Sequence, residues 1–162
     1  MKDDLVVAFT GHRPEKCGGY KIPNPTYNFV RSEITRILNE LKPTNAISGM
    51  ALGTDTIAAE VCIELEIPFI AAVPFRGQEL YWTKESQIKY CDLLMQAERI
   101  EYVNQGGYAA WKMQVRNEWM VNNCNVLIAV FDGSNGGTRN AFDYATTKDK
   151  RIIRINPMDA LI

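Results

Sequence analysis

The chain has 162 residues, 46% of them apolar and 23% charged, with a net charge of −1. That leaves room for one domain with a sizeable core, spanning 1–162, and excludes the strongly basic footprint that duplex DNA or RNA demands. No apolar run reaches the roughly 18 residues of a membrane span, and the apolar stretch near Met1 breaks too early for a signal peptide.

Strand and helix patterns alternate along the whole chain. Leu5 to Phe9 is a strand, and Tyr27 to Leu41 spaces Phe29, Val30, Ile34, Ile37, Leu38 and Leu41 at helical intervals. Asn45 to Ser48 is a short strand, Thr54 to Glu66 a helix, and Pro68 to Val73 a strand. A helix over Lys84 to Ala97 is expected to turn Ile88, Cys91, Leu94 and Met95 inward. Arg99 to Val103 is a strand, and Tyr108 to Asn122 a helix whose Trp111, Val115 and Trp119 read as core. Asn125 to Phe131 is the most apolar strand, followed by a helix over Arg139 to Lys148 and a last strand at Arg151 to Ile155. The alternation predicts an α/β fold, a Rossmann-like three-layer sandwich with a mainly parallel central sheet.

Right-handed crossovers put every strand-to-helix loop at one edge of such a sheet, where ligands bind. Five loops should meet there: Thr10 to Pro14, Ser48 to Asp55, Val73 to Gln78, Asn104 to Tyr108 and Phe131 to Thr138. Two of them are rich in glycine and open into helices. Glycine lets a ligand approach the backbone, and free N–H groups at a helix start attract an anion. Gly49 and Gly53, then Gly136 and Gly137, are the glycines placed at a phosphate, with Ser48, Thr54 and Thr138 as hydroxyl donors. Neither loop is a Walker A or a GxGxxG motif. Four scattered cysteines, Cys17, Cys62, Cys91 and Cys124, form no CxxC pair, so no metal and no cofactor is expected. Cys62 and Cys124 read as buried reduced thiols of a cytoplasmic protein.

Several side chains at this edge have two readings. His12, the only histidine, is structural or catalytic. Arg13 pairs with a phosphate or makes a surface ion pair. Asp55 complements the dipole of its helix. Asp132 accepts from ribose hydroxyls or holds the glycine loop. Trp82, near Phe75 and Arg76, stacks on a base or anchors its loop. Arg116 is expected in solvent, and Asn117 in solvent or at the pocket rim.

The loop motifs taken together resemble the SLOG superfamily, and its YpsA-like branch most. The resemblance rests on Gly11 to Pro14 (GHRP), Ser48 to Glu60 (SGMALGTDTIAAE), Pro74, Phe75, Gln78 and Trp82, and Asn117 to Ala145. It implies a Rossmann-like fold that binds nucleotides, with Thr10, Gly11, His12, Arg13, Ser48, Gly49, Ala51, Gly53, Thr54, Asp55, Pro74, Phe75, Arg76, Gln78, Trp82, Asn117, Asp132, Gly133, Gly136, Gly137 and Thr138 as ligand-binding residues. It also implies self-association. The LOG hydrolases of this superfamily place a catalytic glutamate three residues after the threonine of their PGGxGT motif. Here Ala141 stands there, with Glu118 and Asp143 as off-register substitutes. Without that carboxylate the sugar cation of N-glycosidic cleavage loses its stabilising charge. The expectation is therefore non-catalytic binding of a mononucleotide, a cyclic nucleotide or an ADP-ribose derivative, by a sensor or by a sequestering protein of the kind phages use against host signals. The alternative is a LOG-like phosphoribohydrolase.

Overall fold

A computed structural model describes residues 3–161. Six strands form one all-parallel sheet in the order β4-β3-β2-β1-β5-β6. They are β1 (Val6–Gly11), β2 (Asn45–Ser48), β3 (Phe69–Val73), β4 (Arg99–Tyr102), β5 (Val126–Val130) and β6 (Arg151–Ile155). The connecting helices are α1 (Pro25–Leu41), α2 (Thr54–Glu64), α3 (Lys84–Gln96), α4 (Ala110–Asn122) and α5 (Gly137–Thr147). β3 and β5 are buried along their whole length, as strands covered on both faces must be.

The helices divide between the two faces. Val30 and Ile34 of α1, Ile57 of α2, and Tyr90 and Leu93 of α3 join Val7, Phe9, Ala71 and Val73 in one core. Met120 and Val121 of α4 and Ala145 of α5 join Ala8, Ile47, Ile70 and Leu127 in the other. Local signals set the helix starts. Asn24 accepts the N–H of Tyr27 at 2.8 Å ahead of Pro25, and Thr83 accepts that of Ser86 at 3.2 Å.

Three expectations change. β1 runs on to Gly11, because Thr10 and Gly11 pair with Ala129 and Val130 of β5. On α3 the buried residues are Tyr90 and Leu93, while Ile88, Cys91 and Met95 are exposed and Leu94 is partly covered. The phase of α3 is fixed by Tyr90, whose ring meets Trp82 edge-on at 5.3 Å and whose hydroxyl meets Gln78 Nε2 at 3.3 Å. On α4 the inward stripe is Lys112, Arg116 and Met120. Trp111 and Val115 face outward, and only Trp119 packs against the core.

Candidate functional site

A cleft at the carboxyl edge of the sheet has a volume of about 400 Å³. Three of the loops placed there by the sequence reach it. Thr10, Gly11, His12 and Arg13 come from the end of β1, Ala51 and Asp55 from the turn into α2, and Gly136, Gly137 and Thr138 from the start of α5. Asn117 completes the expected residues on its wall. Pro74, Phe75, Arg76, Gln78 and Trp82 do not line it. Phe75 is buried against Tyr108, Arg76 stacks on Tyr102 at 4.1 Å, and Trp82 anchors its loop on Tyr90. Gln78 instead braces the second loop, with Nε2 3.4 Å from the carbonyls of Gly49 and Met50.

Other expected residues build the cleft from behind. Thr54 is fully buried and donates to the His12 carbonyl at 3.0 Å, stitching the first loop to the second. Gly53 has φ +90°, and a Cβ there would lie 2.6 Å from that carbonyl, so only glycine lets the two loops touch. Ser48 donates to the Asp55 carbonyl at 2.9 Å. Gly133 lies in the turn that Asp132 holds.

Asp132 holds that turn directly. Its Oδ1 accepts the N–H of Ser134 at 2.8 Å and the Ser134 hydroxyl at 2.5 Å, and these bonds bring its pKa down to about 2. His12 Nε2 lies 2.9 Å from both the N and the Oδ1 of Asp132. The two contacts belong to different protonation states: a bare Nε2 accepts the amide, and a protonated one donates to the carboxylate. Burial lowers the His12 pKa, with Asp132 opposing and Lys16 assisting, so the neutral form accepting the amide is the resting state.

The sequence missed Lys16 and Arg116. Lys16 lies in a short 3-10 turn, Pro14–Lys16, and its Nζ bonds the Ser134 hydroxyl at the mouth of the cleft. Arg116, expected in solvent, is only 5% exposed. Its Nη1 donates to the carbonyls of Gly49 at 2.6 Å and Ala72 at 3.2 Å, and its Nε to Asn117 Oδ1 at 3.1 Å. Those carbonyls at the ends of β2 and β3 are what make a buried guanidinium tolerable. Asp55 is buried beside it and accepts the N–H of Ala51 at 3.3 Å. Burial pushes the Asp55 carboxyl up, and Arg116 pulls it part of the way back. Glu118 and Asp143 do not line the cleft, so among the described residues Asp55 is the buried carboxylate on its wall.

This is a doubly wound α/β domain with its polar residues gathered at the carboxyl edge of the sheet. Residues 7–160 match the family model of the YspA SLOG family, YpsA, and the chain belongs to that family. It is similar to the SPbeta prophage-derived protein YoqJ of Bacillus subtilis, at 31% identity over 157 positions, covering 83% of this chain and 91% of the relative. Its fold is similar to DNA processing protein A (DprA) of Streptococcus pneumoniae, with a TM-score of 0.69 at 19% identity, covering 94% of this chain but 50% of that one. DprA of Helicobacter pylori, whose structure concerns its binding of single-stranded DNA, gives a TM-score of 0.65 at 20% identity, covering 94% of this chain and 65% of that one.

Proposed function

We propose that this chain binds a nucleotide or nucleotide-derived signal in the cleft and holds it without cleaving it. The ligand class is a mononucleotide, a cyclic nucleotide or an ADP-ribose derivative. The observation that carries this reading is the start of α5. Gly136, Gly137 and Thr138 border the cleft, Lys16 bonds Ser134 just ahead of that helix, and Arg13 lines the same cleft. A helix N-terminus in a cleft lined by two cations suits a phosphate. Ala141, where LOG hydrolases carry their glutamate, supports binding over cleavage. The role is that of a sensor or sequestering protein in the cytoplasm, and kinship with a prophage-derived relative fits sequestration of a host signal. The exposed Tyr108 and Trp111 suit self-association.

The test is recovery of the ligand. AMP or ADP-ribose incubated with the protein should be hidden from a reader enzyme and returned whole after heat denaturation. A second reading, hydrolysis to free base, draws support from Asp55, a buried carboxylate of raised pKa on the cleft wall. Multiple-turnover release of base, detected by chromatography and lost in Asp55→Asn, would overturn the binding reading.

A further inference from the structure

We infer that the Asp55–Arg116 floor receives the uncharged nucleoside end of the ligand, so that a nucleotide lies with its phosphate at α5 and its base and sugar across the end of β2. This rests on the nucleotide reading above and adds an orientation to it.

Asp55 is 8% exposed and Arg116 5%, and both line the cleft. Among the described residues no hydrogen bond or ion pair joins the two directly. Among the described residues Asp55 Oδ1 and Arg116 Nη2 have no hydrogen-bond partner, whereas the other polar atoms of both side chains are engaged. Glu60 Oε1, which lies 3.2 Å from Lys89 Nζ, is the one fully enclosed side-chain nitrogen or oxygen without a hydrogen bond among the described residues. The free oxygen of Asp55 and the free nitrogen of Arg116 are therefore the atoms that meet the cleft. An acceptor and a donor left open on two neighbouring buried side chains call for a ligand group that offers both.

Charge decides which end of a nucleotide goes there. The floor sets the Asp55 carboxylate beside Arg116, with Arg13 of the same cleft acting on both, so a phosphate on the floor would meet the Asp55 carboxylate at close range. Lys16 and the N-terminus of α5 line the cleft as well and favour an anion, Glu15 beside Lys16 being exposed to solvent. Base edges and sugar hydroxyls are neutral and carry both donors and acceptors. The spacing agrees. β1 separates β2 from β5, so the loops after β2 and β5 stand two strand spacings apart, about 10 Å. One nucleotide, from phosphate to the far edge of its base, covers that gap, whereas inorganic phosphate does not.

The experiment is calorimetry with AMP and ribose 5-phosphate, on the wild type, Asp55→Asn and Gly49→Ala. A Cβ on Gly49 would lie 2.7 Å from Arg116 Nη1 and 2.8 Å from Asp55 Oδ2, so that methyl displaces the floor without touching α5. Wild type should prefer AMP to ribose 5-phosphate by tenfold or more. Asp55→Asn should bring AMP down to the level of ribose 5-phosphate, and Gly49→Ala should act in the same direction, covering the case in which the Asn variant fails to fold. Equal wild-type affinity for the two probes would overturn the orientation and leave nucleotide binding standing. So would unchanged AMP binding in both folded variants, or an equal loss for both probes. Failure of the wild type to bind either probe would overturn this orientation, and failure to bind cyclic AMP and ADP-ribose as well would overturn the nucleotide reading with it.

Discussion

Gly137 borders the cleft, and a Cβ added there would meet nothing within 4 Å. Gly137→Asp should therefore fold normally yet lose nucleotide affinity, because a carboxylate would occupy the anion end of the cleft. Calorimetry on the folded variant checks this, and retained affinity would remove α5 from the site. His12 carries a pH dependence of definite sign. Its pKa in the fold lies below its ordinary 6.5, so the unfolded chain takes up a proton first and stability falls as pH drops through about 6.5. Asp55, with its pKa raised, slopes the other way. The difference between wild type and His12→Gln isolates the histidine: denaturation midpoints at about pH 7.5 and 5.5 should separate more in the wild type than in the variant. An identical separation would mean that His12 is not held neutral. Lys112 is a buried cation that appears in no sequence motif, and its Nζ donates to the carbonyls of Gln105 at 2.5 Å and Gly107 at 2.6 Å. Lys112→Met keeps the stem and strips both bonds. It should cost about 2 kcal/mol in urea unfolding, since hydrogen bonds to charged groups are the stronger kind.

At the scale of elements, α4 is the most informative. Its aromatic residues suggested one phase, and the fold chose another, because Lys112 and Arg116 satisfy backbone carbonyls at the ends of their loops and strands. The phase is testable by stability. Met120→Ala should cost about 2–5 kcal/mol as a core truncation, whereas Trp111→Ala, 62% exposed, should stay within about 0.5 kcal/mol. The reverse order in denaturant melts would restore the phase read from the sequence. The strands were easier. β2 and β6 stand where the pattern put them, because each is a short apolar or β-branched run bounded by turns. β1 was underestimated at its end, since Gly11 has little strand propensity and is held by pairing with β5.

For the whole molecule, the strand order places the reversal of direction between β1 and β5, and the cleft opens where such sheets leave a crevice. A ligand that binds there and not to the unfolded chain stabilises the fold by mass action, by about 2.7 kcal/mol at a hundredfold excess over Kd. AMP or ADP-ribose should therefore raise the melting temperature of the wild type and leave that of Gly137→Asp unchanged. An equal rise in both would place the ligand elsewhere.

The sequence by itself determined the α/β alternation, a mainly parallel sheet and three of the loops at the cleft. Apolar periodicity and glycine placement are local signals, and the handedness of crossovers turns them into a shared edge. It did not determine which side chains face that edge. Trp82 and Arg76 sit in a loop after a strand, as a base-stacking residue would, yet they pack on Tyr90 and Tyr102. Arg116 sits in a polar stretch of a helix, as a solvated residue would, yet it is buried on the carbonyls of Gly49 and Ala72. The placing of Arg76 and Arg116 depends on partners far along the chain, Tyr102 for the one and, 67 positions away, Gly49 for the other. A buried charge is tolerated only where distant carbonyls and a missing Cβ make room for it, and only the tertiary structure brings those together.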